Sequence, residues 1–272
     1  MKKLLLIAAL ALLVLISGCT SVDTNTKKDA SIVIEEAVDK FANVDRYSGV
    51  FDIKYALGSQ EIDMKTKVYQ LGTKKRIILD METPQQLRGK GVLDRVNIDT
   101  YTDSESRTTC FPGNYIISSF DQTGNKLPSE TADGIRGKTV CSRARATDKI
   151  IVDPSAFLSQ LRSQISNGFI EAQYIGLGNV AGRPCDLLKI VPRSILDAGS
   201  GPEICLDTET GLALESKLTL YIEPGTSSNN PTVTTKASSF SLSVNPQDVE
   251  IPGNVVYSED FSGALSQILP NA

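Results

Sequence analysis

The sequence predicts an α+β chain that is mostly β, and three observations predict it. Apolar and polar residues alternate with period two in many short runs joined by short polar links. Only two segments carry the helical period, one near the start and one past the middle. No composition shift or repeat of fixed period divides the chain after residue 18 into two domains.

The first helix is expected over residues 30–44. Asp29 can cap it, and Val33, Ala37, Val38, Phe41 and Val44 fall on one face. Over 47–57 the period changes to two, with Phe51, Ile53, Tyr55 and Leu57 alternating with Asp52, Lys54 and Ala56. Gly58-Ser59 reads as a turn. Ile62, Met64, Thr66 and Val68 then alternate with Asp63, Lys65 and Lys67 in a returning strand. Further strands are expected over 75–81, 89–93, 97–102, 107–111 and 115–120, followed by a long excursion over 121–145 with little periodicity.

The second helix has the clearest punctuation. Asp153 caps it, Pro154 takes its first position, Phe157, Leu158, Leu161 and Ile165 make its stripe, and Asn167-Gly168 ends it. Strands follow over 169–175, 186–191, 204–207, 213–222 and 233–244. Residues 207–211 form a tight turn and 224–231 a long hairpin loop.

The amino terminus predicts an address. Met1-Lys2-Lys3 precedes an uncharged apolar run from Leu4 to Ile16, too short to cross a bilayer comfortably, and then Ser17-Gly18-Cys19. Ile16-Ser17-Gly18-Cys19 resembles the lipobox of bacterial-type lipoprotein signals. The resemblance implies cleavage before Cys19 and a diacylglyceryl group on its sulfur, which would hold an exported protein on the outer side of a membrane of the cell envelope. Residues 1–18 are thus expected to be a signal, 19–29 a lipidated end with a polar tether, and 30–272 the folded domain. Without residues 1–18 the chain carries a net charge of about −6, which favours solubility.

If Cys19 carries lipid, the five cysteines leave an even set of four, Cys110, Cys141, Cys185 and Cys205. Of the three pairings they allow, Cys110 with Cys141 and Cys185 with Cys205 is favoured, because each joins segments expected to be neighbours. No metal site is expected: C-x-x-C is absent and the cysteines are spaced 31, 44 and 20 residues apart.

The chain has no histidine, which removes Ser-His-Asp, Cys-His and His-ligated metal mechanisms together. S-x-x-K, G-x-S-x-G, the Walker loop and G-x-G-x-x-G are also absent. A pair of facing carboxylates is expected by chance among 32 acidic residues and singles out none of them. The segment Asp207-Thr208-Glu209-Thr210-Gly211 has part of the residue pattern of a calcium loop, but it lacks the remaining oxygen ligands and reads as a hairpin turn. The basic clusters Lys74-Lys75-Arg76 and Arg143-Ala144-Arg145 read as solvated faces, with phosphate or headgroup contacts as the alternative, and the acidic balance of an exported chain speaks against nucleic acid. No enzyme activity, catalytic residue or cofactor is expected.

The order helix, strands, helix, strands resembles the lipoprotein carrier and sensor superfamily, whose members include the LolA and LolB carriers, the RseB regulator and the LppX/LprG lipoproteins. The likeness covers most of residues 30–260. It is carried by Val180-Ala181-Gly182-Arg183 leading into 185–191, by 204–214 with its Asp207 to Gly211 turn, and by 89–111 with Asp99-Thr100-Tyr101. The chain departs from the carriers in having no tryptophan and four additional cysteines. The resemblance implies a single strongly curved, unclosed antiparallel sheet, a half-barrel, with helices packed on its concave face. It further implies that the hollow takes a lipid or the lipidated end of a lipoprotein. Candidate lining residues are Phe51, Ile53, Tyr55, Ile62, Met64 and Val68, each of which would equally serve as plain core. The alternative is an RseB-like interaction or sensor module that binds a protein partner, unspecified by the sequence, and holds no small ligand.

Overall fold

Alternation of apolar and polar residues has its structural outcome, among the described residues, in one sheet of twelve strands. A computed structural model describes residues 28–57, 60–82, 95–122, 126–145, 154–192, 203–219 and 232–257. In chain order the elements are α1 (Ala30–Ala42), β1 (Arg46–Leu57), β2 (Gln60–Leu71), β3 (Lys74–Glu82), β4 (Arg95–Thr102) and β5 (Ser106–Pro112). They continue with α2 (Gly113–Gln122), α3 (Ser129–Ile135), β6 (Thr139–Arg145), α4 (Pro154–Ser166), β7 (Ile170–Val180) and β8 (Arg183–Pro192). The last are β9 (Glu203–Asp207), β10 (Ala213–Thr219), β11 (Thr232–Ser241), a 3-10 turn (Pro246–Val249) and β12 (Val256–Tyr257).

The strand order is β12-β6-β5-β4-β3-β2-β1-β11-β10-β9-β8-β7, with β12 and β7 as the two edges. Every pairing is antiparallel except the two-residue contact of β12 with β6. The sheet bends strongly. β7 and β11 stand four places apart, so a flat sheet would separate them by about 19 Å, yet their Cα atoms approach within 8 Å. The sheet is a mixed half-barrel that does not close.

Register shows where the helices sit. Phe51, Thr66, Leu79 and Ile98 are directly opposed across β1, β2, β3 and β4, so they share one face. Phe51 packs with α1 and α4 in a large core that includes Val33, Ile34, Phe41, Leu158, Leu161, Leu188 and Ile204. Ile98 packs against a second core made by Ile116 of α2, Ile135 of α3, Phe111 and Val140. Both helical groups therefore cover the same face, one toward each end of the sheet. The opposite face receives the chain after β11: the Arg76 guanidinium donates to the carbonyl of Asp248 at 3.2 Å, and Ile251 and Val255 pack on Tyr101, Cys110 and Cys141.

Helix α1 starts as expected, with the Asp29 carboxylate accepting from the Ser31 amide at 2.9 Å, and ends at Ala42 where Asn43 caps it. Two expectations need correction. The strand expected over 115–120 is instead helix α2: Ile116 and Phe120, four residues apart, turn to the same core, and Ile116 is fully buried. Its Tyr-Ile-Ile composition favours a strand locally, and packing against Phe111 and Ile135 overrides that preference. The excursion over 121–145 contains helix α3 and strand β6, the latter paired along its whole length with β5. The expected strand 89–93, the loop 224–231 and the cap Asp153 lie outside the described residues.

The cysteines join Cys110 to Cys141 and Cys185 to Cys205. The first pair stands directly opposed on β5 and β6, and the second spans β8 and β9 diagonally. Closing a loop of 20 residues, the second bridge contributes about 3 kcal/mol. It lies over Gly178 of β7, where a Cβ would stand 3.0 Å from the sulfur of Cys205 and 3.2 Å from that of Cys185.

Candidate functional site: an apolar band between two helical groups

The helices leave the middle of their face incompletely covered. Across β1, β2 and β3, Ile53, Met64 and Met81 are directly opposed, as are Tyr55 with Ile62 and Thr66 with Leu79. Together with Ile77, opposite Val68, these apolar side chains make a band that is only half-buried, lying between the two cores. Of the six residues expected to line a hollow, Phe51 and Val68 are instead filled core, each 8% exposed and packed with α1 and α4. Ile53, Tyr55, Ile62 and Met64 lie in the band. Ile77, Leu79 and Met81 join it from β3, a row that the alternation over 75–81 already contained.

The opposite face of the same strands is charged. Lys65 lies 3.6 Å from Asp52, Lys54 3.9 Å from Asp63, and Arg95 2.9 Å from Asp80. A shallow cleft of about 190 Å³ is bounded by Asp52, Lys54, Asp63, Lys65, Glu82 and Arg95. It is smaller than the ~300 Å³ at which small-molecule pockets begin. These exposed ion pairs keep that face in water and leave the band as the apolar side of the central strands.

Asp207 shows why its turn is structural. Its buried carboxylate accepts two bonds from the Arg183 guanidinium, both at 2.8 Å, and one each from the Thr210 amide at 2.8 Å and hydroxyl at 2.7 Å. All of its near partners are protein donors, so the oxygens that a calcium loop would offer are engaged. Burial alone would raise this carboxyl, but Arg183 and Thr210 together pull it below the usual carboxylate range. The stability so gained is complete above the unfolded value near ~4 and is lost as pH falls through the lower folded value. Asp207→Asn is therefore expected to cost about 3 kcal/mol at pH 7. Denaturant midpoints at pH 6 and pH 3 should show a larger acid loss in the parent chain than in the variant.

A second buried carboxylate, Asp186, holds the beginning of the fold. Lys28 donates to it at 2.8 Å and the Tyr174 hydroxyl donates at 3.1 Å, with the Lys28 ammonium 5.6 Å from the centre of the Tyr174 ring. The hydrogen bond to Asp186 raises Lys28 above its ordinary value. On the far face, Arg76 forks onto Asp99 at 2.6 and 2.9 Å. Burial first, and then the charge of Asp99, raises the Tyr101 phenol. In the basic clusters, Arg76 is thus paired, Lys74 pairs with Glu250, and Arg143 lies 5.3 Å from the Tyr257 ring centre.

Among the described residues no three His, Cys, Asp or Glu side chains are grouped to hold a metal ion, and no helix is long and apolar enough to cross a membrane. Ile16, Ser17, Gly18 and Cys19 lie outside the described residues.

The class these features define is an unclosed half-barrel with helices on one face. The chain is similar in structure to MucB, at 16% identity and a TM-score of 0.42, over 84% of this chain and 66% of that one. It is also similar to a chain of the Pseudomonas aeruginosa MucA/MucB complex, at 17% identity and a TM-score of 0.40, over 81% and 62% of the two chains. A LolA superfamily protein from Nitrosomonas europaea matches at 10% identity and a TM-score of 0.29, over 83% and 98%. The chain spans less than two thirds of the length of the MucB chains it matches. Neither a family model nor a curated protein sequence matches it.

Proposed function

We propose that the protein is a non-enzymatic lipoprotein of the cell envelope, anchored through lipid on Cys19, that binds a hydrophobic ligand, a lipid or lipopeptide, along the band of β1, β2 and β3. The observation that carries this reading is the half-buried row of Ile53, Tyr55, Ile62, Met64, Ile77, Leu79 and Met81 between two helix-covered cores. Apolar surface open to water is unfavourable by about 25 cal/mol per Å², so covering it with acyl chains supplies a driving force for binding. The bent sheet gives such a ligand a trough, and the two helical groups give the trough its ends. Selectivity would come from length and branching of the chains, since no charged side chain of β1, β2 or β3 faces the band's side of the sheet in the register from Ile53 to Met81.

A dansyl-labelled undecanoic acid measures the claim. Leu79→Glu places a carboxylate in the middle of the band at a half-buried position. It is expected to weaken the probe by about tenfold, or 1.4 kcal/mol, with the unfolding midpoint little changed. Asp52→Ala on the charged face is expected to leave probe binding as it was. Equal binding by both variants and the parent chain would contradict the band as the ligand site. If lipid is absent from the purified protein and crosslinking captures a protein across the same strands, the interaction-module reading takes its place.

A further inference from the structure

Three of the large apolar side chains that stand out in water gather where the described chain begins. Ile32 in the first turn of α1 is 54% exposed, and Ile175 and Leu177 on β7 are 50% and 58% exposed. Leu177 stands directly opposite Asp186, the residue that receives Lys28, and Ile175 follows Tyr174, whose ring lies under the Lys28 ammonium. β7 bulges between Tyr174 and Gly176 and is, among the described residues, an edge strand of the sheet. We propose that this end of the half-barrel, presenting Ile32, Ile175 and Leu177, rests against the surface of the bilayer that holds the lipid on Cys19.

The proposal rests on the lipid-anchored reading above and adds an orientation to it. Nine residue steps separate Cys19 from Lys28, which span at most about 30 Å when fully extended. A domain of this size is about 45 Å across. The Lys28–Asp186 contact therefore fixes which end of the fold can reach the headgroups. β12 is the other edge in the strand order. Apolar side chains at the near end enter the boundary between headgroups and acyl chains, whereas Glu35 and Glu36, one turn further along α1 and exposed, keep the contact shallow.

The chain contains no tryptophan, so one introduced indole reports on one place. Ile32→Trp, Ile175→Trp and Leu177→Trp are each prepared as full-length, processed protein and bound to phosphatidylcholine/phosphatidylglycerol vesicles with brominated acyl chains. Tyr257→Trp, on the other edge strand β12, is the reference. Quenching of the three near-end indoles by about half, with the reference unquenched, is the expected result. Amide exchange in β7 of the unsubstituted protein should slow on vesicles as well, which covers a variant that fails to fold. Vesicle flotation and the mass of the amino-terminal peptide separate the two levels of failure. A floating, diacylglyceryl-bearing protein whose near-end indoles match the reference overturns the orientation alone, and a protein without lipid overturns the anchor and the orientation together. Indoles already shielded without vesicles, in a protein that sediments as a dimer, would give the β7 edge to a second copy of the chain and overturn the membrane contact.

Discussion

Export of the chain from Thr20 onward, behind a secretory leader that lacks a lipid-attachment cysteine, is expected to move the protein from the membrane fraction to the soluble one. One myristoyl-length chain alone gives a membrane partition constant of about 10⁴ M⁻¹, and a diacylglyceryl group carries two such chains. Its loss should lower partitioning by at least about four orders of magnitude, far more than a few exposed apolar side chains can restore. The parent protein should begin at Cys19, and its amino-terminal peptide should carry the added mass of the diacylglyceryl group. A free thiol there would remove the anchor and would also leave five cysteines to be accounted for in place of four.

Gly211→Ala is expected to destabilise the fold by about 3–5 kcal/mol. Gly211 ends the turn that begins at Asp207, with its amide donating to the Asp207 carbonyl at 2.8 Å and its φ at 73°, in the left-handed region. Strain at such a position alone costs alanine about 1 kcal/mol. The larger part comes from packing, because a Cβ here would stand 2.1 Å from the carbonyl oxygen of Ala37 in the middle of α1. The obstacle is helix backbone, so α1 must move away from the sheet, and the contacts of Ile34, Ala37 and Phe41 with Leu206 and Leu212 move with it. Urea titration of both proteins measures the difference. A cost under about 1 kcal/mol would mean that α1 does not lie on this turn as described.

Strand positions were legible wherever one face is apolar and the other charged. β1 and β2 are the clearest case, since Phe51, Ile53 and Tyr55 alternate with Asp52 and Lys54, and the structure separates the same residues onto two faces. The two cysteine pairs followed from expected adjacency. Helix α2 was not legible, because Tyr115, Ile116 and Ile117 are strand-favouring residues whose helical state is set by a core drawn from distant strands. Strand β6 was hidden for a related reason: residues 139–145 mix a threonine, a serine and two arginines, and their partner β5 lies across an intervening pair of helices.

The candidate band was half-legible. Periodicity identifies which side chains share a face, but which of those a helix then covers is a tertiary matter. Phe51 and Val68 differ from Ile53 and Met64 only in lying under α1 and α4. The same limit applied to the near end of the sheet. Ile175 read as an ordinary strand residue and Leu177 lay past the end of the expected strand, until β7 proved to run to Val180 as an edge and Lys28 proved to be tied to its neighbour.

Native mass spectrometry of the chain from Thr20 onward, purified from the envelope without detergent, tests the hydrophobic-ligand claim most directly. The account predicts a folded protein carrying a stoichiometric acyl-containing adduct that organic extraction removes and that Leu79→Glu fails to retain. A folded, adduct-free protein that also takes up no fatty acid or lipopeptide when these are supplied would contradict it.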